Sequence, residues 1–141
     1  MERVGFALRD EFGGIKGEQF DNRKKQHTEY YTVPLEEILD RTNAPRKIDY
    51  MSLDVEGAEF YVMEKFPFDK YRISVLTIER PQQELQRHLI KNGYEMVRII
   101  ARFGETLWIH RDAMKRLNVN GLEKYEPFPK LNPSLRDLFD I

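Results

Sequence analysis

Apolar residues recur along this chain at two different spacings, and the change between them predicts alternating strands and helices. In the second half of residues 48–55 every second residue is apolar, so Met51, Leu53 and Val55 share one side of a predicted strand. Residues 73–78 are mostly β-branched, which favours a second, buried strand. The two segments predict the centre of a sheet.

Segments before and between these strands show helical spacing instead. Residues 34–42 and 56–66 carry apolar residues three and four positions apart, and Leu85 and Leu89 form such a pair in a third segment. Proline suits the first turn of a helix, so Pro34 is expected to begin the first of these helices. The third helix is expected to end at the Asn-Gly pair at residues 92–93.

Two further strands are predicted at residues 94–100 and 106–110, and their short connection requires an antiparallel hairpin. From residue 48 the order is therefore strand, helix, strand, helix, strand, strand. This alternation is typical of an α/β fold with right-handed crossovers. We expect a mostly parallel sheet with a C-terminal antiparallel hairpin and helices on both faces.

The ends of the chain have weaker patterns. Residues 3–8 and 30–33 predict short strands, and Gly13, Gly14 and Gly17 predict a turn or hairpin tip between them. No helical pattern follows these glycines, so we prefer the turn to a phosphate-binding loop. We expect one domain over residues 1–141, with an N-terminal arm at 1–29 and an irregular tail at 119–141 that ends in a short helix after Ser134.

Composition narrows the class of protein. The 141 residues suit a single domain, and 40% apolar and 33% charged residues are ordinary for a globular protein. A net charge of −1 gives no basic field for nucleic acid, so no nucleic-acid partner is expected. No apolar run is long enough for a membrane span and cysteine is absent, which is most compatible with the cytoplasm.

Candidate chemistry lies where the predicted parallel strands end. In open α/β sheets, ligands bind beyond the carboxyl ends of the strands. The charged residues at those ends are Asp54, Glu56, Glu59, Glu79 and Arg80. Acidic residues at a helix start also cap the helix, which is the simpler interpretation from local pattern alone. A magnesium-type site at the first three carboxylates is disfavoured because neighbouring side chains point in different directions, and we predict no metal.

Residues 48–59 read Ile-Asp-Tyr-Met-Ser-Leu-Asp-Val-Glu-Gly-Ala-Glu. This segment closely resembles the signature of FkbM-type methyltransferases, an apolar strand ending in Asp-Val-Glu-Gly-Ala-Glu. The Pro-Leu-x-x-Ile-Leu helix at 34–39 and the strand ending in Glu79 resemble the family in the same order. The resemblance covers residues 30–111. Many members have lysine where this chain has Ser52.

The resemblance implies a Rossmann-like sheet and methyl transfer from S-adenosylmethionine, often to an oxygen of a small-molecule or glycan-like acceptor. Asp54 is expected nearest the chemistry, and Glu56 is expected as a base or a contact for a polar acceptor. Glu59, Glu79 and Arg80 are expected to bind the acceptor; the alternatives are that Glu59 faces the helix surface and that Glu79 and Arg80 pair with each other.

The cofactor half of such a domain usually contains a strand and a glycine-rich turn before this region. Residues 1–29 contain nothing similar, so a truncated domain whose cofactor-binding residues lie elsewhere is expected. The strand at 48–54 would then have an open edge, which we expect to be covered by a second copy, the N-terminal segment or a partner. A non-catalytic scaffold or assembly subunit is the alternative function.

Overall fold

The computed structural model of the chain describes residues 2–7, 14–15 and 27–117. Within these residues the elements follow the alternation that the sequence predicts from residue 48. In chain order they are β1 (Glu2–Ala7), β2 (Gly14–Ile15), β3 (His27–Thr32), α1 (Leu35–Arg41), β4 (Lys47–Leu53), α2 (Glu59–Glu64), β5 (Arg72–Glu79), α3 (Gln83–Lys91), β6 (Tyr94–Ile99), β7 (Glu105–His110) and α4 (Arg111–Met114).

The described strands form two sheets with orders β2-β1-β3 and β4-β5-β7-β6. In the second sheet β4 and β5 are parallel, and β7 runs antiparallel to both β5 and β6. The predicted C-terminal hairpin is confirmed. Because β7 is antiparallel to both of its neighbours, β4, β5 and β6 run in the same direction, and the described part of this sheet is mostly parallel with a reversed β7, as expected. The topology explains the arrangement: the chain skips one position after β5, and β7 returns through a short turn to fill it.

The N-terminal predictions are met in part. The strand predicted at 3–8 corresponds to β1, and β3 extends the one predicted at 30–33. Gly14 was expected in a loop but lies in β2, opposite Ala7 of β1. The hairpin tip itself and the C-terminal tail, with the short helix after Ser134, fall outside the described residues.

An apolar cluster of buried residues joins the second sheet to α2 and α3. Leu76 of β5 pairs with Trp108 of β7, and both are fully buried with Leu85 and Leu89 of α3. Burying each large apolar side chain contributes about 1.5–3 kcal/mol. The Trp108 indole N–H, which is buried in this core, donates to the Thr106 hydroxyl at 2.8 Å. The cluster therefore fixes how β5 and β7 sit against the helices.

Helix α1 is attached to the main sheet by ionic contacts as well as by packing. Its Leu35 and Leu39 contact the apolar cluster. The Asp40 carboxylate accepts hydrogen bonds from the Lys70 ammonium and the Tyr71 hydroxyl, both at 2.6 Å. These residues lie in the segment between α2 and β5, so α1 packs beside the entry to β5.

Two turns leave the sheet at the same edge, since β4 and β5 are parallel. Residues 54–58 connect β4 to α2, and residues 80–82 connect β5 to α3.

In the described part of the chain, no helix is long and apolar enough to cross a membrane.

Candidate functional site

The turn after β4 is held in an unusual backbone conformation by a buried carboxylate. Glu56 and Gly57 both have positive φ angles, 52° and 95°. Glu59, at the start of α2, is only 3% exposed, and its Oε1 atom accepts hydrogen bonds from the backbone N–H groups of Val55 and Gly57, both at 3.1 Å. A charged acceptor offsets the cost of the strained turn, because charge-assisted hydrogen bonds are the stronger ones. Glu59 thereby fixes the direction in which Asp54 and Glu56 leave the turn.

The turn after β5 is similarly constrained. Arg80 has a positive φ angle of 42°, and its backbone N–H donates to the Gly104 carbonyl at 3.0 Å. Its guanidinium donates to Glu79 Oε1 at 2.6 Å. Burial raises the pKa of Glu79 above its usual value; the bond to Arg80 opposes this effect, and the neighbouring Asp54 adds to it. Glu79 is therefore a better proton acceptor than an ordinary surface carboxylate.

The strand register brings the two turns together. Ser52 lies beside Thr77 and Leu53 beside Ile78, so the next residues along the parallel strands, Asp54 and Glu79, are neighbours. Carboxylate oxygens of Asp54, Glu56 and Glu79 all lie within 4.8 Å of one another. Three carboxylates from two separate turns therefore converge at this rim.

A line of hydroxyl groups leads along the sheet towards these carboxylates. The hydroxyls of Tyr50 and Thr77 are 2.8 Å apart, and Thr77 donates to the Ser52 hydroxyl at 3.2 Å. Sequence reasoning placed Tyr50 and Ser52 on the side of Asp54 but missed Thr77. The available signal was that Thr77 lies two positions before Glu79, so a strand would place both on one face.

The structure therefore gathers four of the five predicted site residues at the rim: Asp54, Glu56, Glu79 and Arg80. Glu59 points into the turn, where its Oε1 already accepts two backbone bonds. The carboxylates that could hold a hard cation are therefore Asp54, Glu56 and Glu79. The set considered from the sequence contained Glu59 instead of Glu79. Exposed acidic groups are common without a metal, so this proximity alone defines no metal site.

This geometry defines a class of protein: an α/β domain with acidic residues at the carboxyl ends of its parallel strands. The family model for the FkbM methyltransferase domain matches residues 3–117, which is most of the chain. The chain belongs to the FkbM methyltransferase domain family. The match is longer than the 30–111 range in which the sequence resemblance was found. Searches of curated proteins and of solved structures found no match.

Family membership makes S-adenosylmethionine the expected methyl donor, and the described residues can be compared with what that cofactor needs. Its nucleoside would require a strand and a glycine-rich turn beside β4. The described elements before β4 are the antiparallel strands β1 to β3 and helix α1. Within residues 2–7, 14–15 and 27–117, no strand with a glycine-rich turn adjoins β4, so these residues do not by themselves form a nucleoside cradle.

Proposed function

We propose that this chain forms the acceptor side of an S-adenosylmethionine-dependent O-methyltransferase that acts on a hydroxyl of a small-molecule or glycan-like acceptor. The observation that carries the proposal is the mutual approach of Asp54, Glu56 and Glu79 at the sheet rim, in a chain of the FkbM family. In methyl transfer to a hydroxyl, the donor supplies an activated methyl group. The protein aligns the acceptor and provides a place for its proton.

In this proposal Asp54 lies nearest the acceptor hydroxyl and takes its proton. Glu79 assists it, because a neighbouring carboxylate with a raised pKa can share the proton that arrives. Glu56, held outward by the positive φ of its turn, contacts a polar group of the acceptor. Arg80 keeps Glu79 in place through its 2.6 Å bond and lines the same side.

Glu59 is a positioning residue in this scheme. Its carboxylate is buried and bonded to the turn, so it acts on the acceptor through Asp54 and Glu56. Tyr50, Ser52 and Thr77 extend the polar surface along the sheet. Hydroxyl-rich acceptors such as glycans suit such a surface, because each hydroxyl both donates and accepts hydrogen bonds.

The test has a binding step and a transfer step. Calorimetry with S-adenosylmethionine and with its demethylated product measures cofactor binding to the chain. Transfer of a labelled methyl group to a panel of polyols and oligosaccharides measures activity. Asp54→Asn should lower the transfer rate roughly 100-fold or more. Asp49→Asn, an exposed carboxylate of the same strand, is the matched control and should leave the rate unchanged. Equal rates for parent and Asp54→Asn would reject the assignment.

A second candidate, a non-catalytic scaffold or assembly subunit, is favoured by one observation. In the described residues β4 pairs only with β5, and no nucleoside cradle adjoins it. A scaffold would bind neither the cofactor nor its product, and its partner would protect the β4 edge. Calorimetry with no heat of binding, together with a stable complex through β4, would favour this function over catalysis.

A further inference from the structure

A cavity lies at the opposite end of the main sheet from the acidic rim. Its volume is about 340 Å³, and Lys47 and Arg72, the first residues of β4 and β5, line it. Arg72 and Glu79 are the two ends of β5, and a strand of that length spans roughly 23 Å. The cavity is therefore separate from the proposed methyl-transfer site and is not used by it.

The floor of the cavity holds a buried hydroxyl without a partner. Ser74 is 5% exposed, and among the described side chains its Oγ atom is buried and makes no hydrogen bond. Buried polar atoms nearly always have partners, because leaving one unpaired is costly. Since Ser74 lines the cavity, a ligand there can supply the missing acceptor.

Basic side chains dominate the walls. Five basic residues line the cavity, against two acidic residues, Asp69 and Asp112. Arg46 and Lys70 are already engaged by Asp40 of α1, and Arg72 is paired with Asp112. Lys47 has no ion pair in the described part of the chain, and Arg116 uses only its Nε atom, in a 3.4 Å bond to a backbone carbonyl. These two remain available to an anion.

His110 lies beside Ser74, since their neighbours Ile109 and Val75 pair across β7 and β5. Burial lowers the pKa of His110, and the positive charges of Arg72 and Arg111 lower it further, while Asp112 opposes them. The Nδ1 atom of His110 accepts a hydrogen bond from the backbone N–H of Asp112 at 3.2 Å. The floor is therefore neutral and polar, and the positive charge lies on the walls.

We propose that this cavity binds a phosphate group, either as free phosphate or carried by a small phosphorylated molecule. The Ser74 hydroxyl donates to one phosphate oxygen, and Lys47 and Arg116 neutralise the charge. A hydroxyl donor with ammonium and guanidinium groups is the usual set for phosphate recognition. The volume lies at the lower end of the range for small-molecule sites, which leaves space for more than the phosphate itself.

The experiment uses the whole chain at constant ionic strength in a phosphate-free buffer. Titrations with inorganic phosphate and with ribose 5-phosphate are followed by amide NMR shifts. Ser74→Ala should weaken binding roughly tenfold and Arg116→Gln roughly threefold. The matched control is Arg102→Gln, in the turn between β6 and β7 at the other end of the sheet, and this variant should bind within about twofold of the parent. Tighter binding of ribose 5-phosphate would identify a phosphorylated molecule, and equal binding would identify free phosphate.

Thermal unfolding supplies a second readout for Ser74. Without phosphate, Ser74→Ala should unfold at the same temperature as the parent or higher, because the variant lacks the unpaired hydroxyl. With phosphate the parent should gain more stability than the variant. Three results would each overturn the proposal: phosphate binding that Ser74→Ala leaves unchanged, a control variant that weakens binding as much as the cavity variants do, or no amide shifts with either probe.

Discussion

The buried carboxylate of Glu59 accepts a 3.1 Å hydrogen bond from the backbone N–H of Gly57, two residues before it in the chain. Gly57 has a φ of 95°, a conformation that glycine adopts without steric cost. Together with the bond from Val55, this contact closes the turn that connects β4 to α2. The position of Asp54 therefore depends on a residue five positions further along the chain.

Glu59→Ala should lower the free energy of unfolding by about 2–4 kcal/mol, because two backbone donors lose a charged acceptor. Glu64→Ala, an exposed glutamate of the same helix, should change it by less than about 0.5 kcal/mol. Chemical denaturation measures both. A Glu59→Ala variant as stable as Glu64→Ala would contradict the positioning role.

Glu79→Gln should stabilise the protein at neutral pH and leave it unchanged in acid. The folded state raises the pKa of Glu79, mainly by burial, so ionisation costs stability as the pH rises from the unfolded value of 4.5 through the folded value. Glutamine cannot ionise and avoids that cost. Tm measured between pH 3 and 7 should show a difference that appears above pH 4.5. Glu64→Gln, at an exposed glutamate of α2, is the matched control.

Asp40→Asn should have the opposite pH dependence. The hydrogen bond from Lys70, and then that from Tyr71, lower the pKa of Asp40 below 3.8. Its contribution to stability is therefore complete above pH 3.8 and is lost as the pH falls through the folded pKa. Asp40→Asn should lower Tm at pH 7, and the difference from the parent should vanish in strong acid. A difference independent of pH would contradict the ionic attachment of α1.

Gly93→Ala should be destabilising for two separable reasons. Gly93 has a φ of 89°, and an added Cβ atom would lie 2.9 Å from Nε2 of His110. Backbone strain should cost about 1–2 kcal/mol, and the contact with His110 should add to it. His110→Ala removes the contact and leaves the backbone strain at residue 93 in place. A double-mutant cycle should therefore show a smaller cost for Gly93→Ala in the His110→Ala background, and equal costs in both would exclude the steric contribution.

The outer edge of β4 gives a prediction about assembly. In the described residues β4 pairs only with β5, which leaves one side of an apolar strand without a strand partner. Such edges associate readily. We expect the amides of residues 48–54 to be protected from hydrogen exchange, and light scattering to detect a dimer or larger species. A monomer with freely exchanging amides in this strand would contradict the expectation.

The sequence was sufficient for most elements because their signals are local. The change from alternating to helical spacing located β4, α2, β5 and α3, and the Asn-Gly pair predicted the end of α3 correctly. The family signature in residues 48–59 marked Asp54 and Glu56. Gly14 was predicted in a loop because glycine favours turns. Its pairing with Ala7 of β1 is a contact between separate segments, and local composition does not encode such contacts.

The arrangement at both ends of the main sheet was decided by tertiary structure. Glu59 and Asp54 look equivalent in the sequence, yet one is buried in the turn and the other meets Glu79, which lies 25 residues away. The register of two parallel strands sets that meeting, and the register depends on packing of the whole core. The unpaired Ser74 hydroxyl follows from the same packing. The sequence by itself determined the types and order of the elements, and only the fold decided which charges meet, because proximity between distant residues is a property of the packed chain.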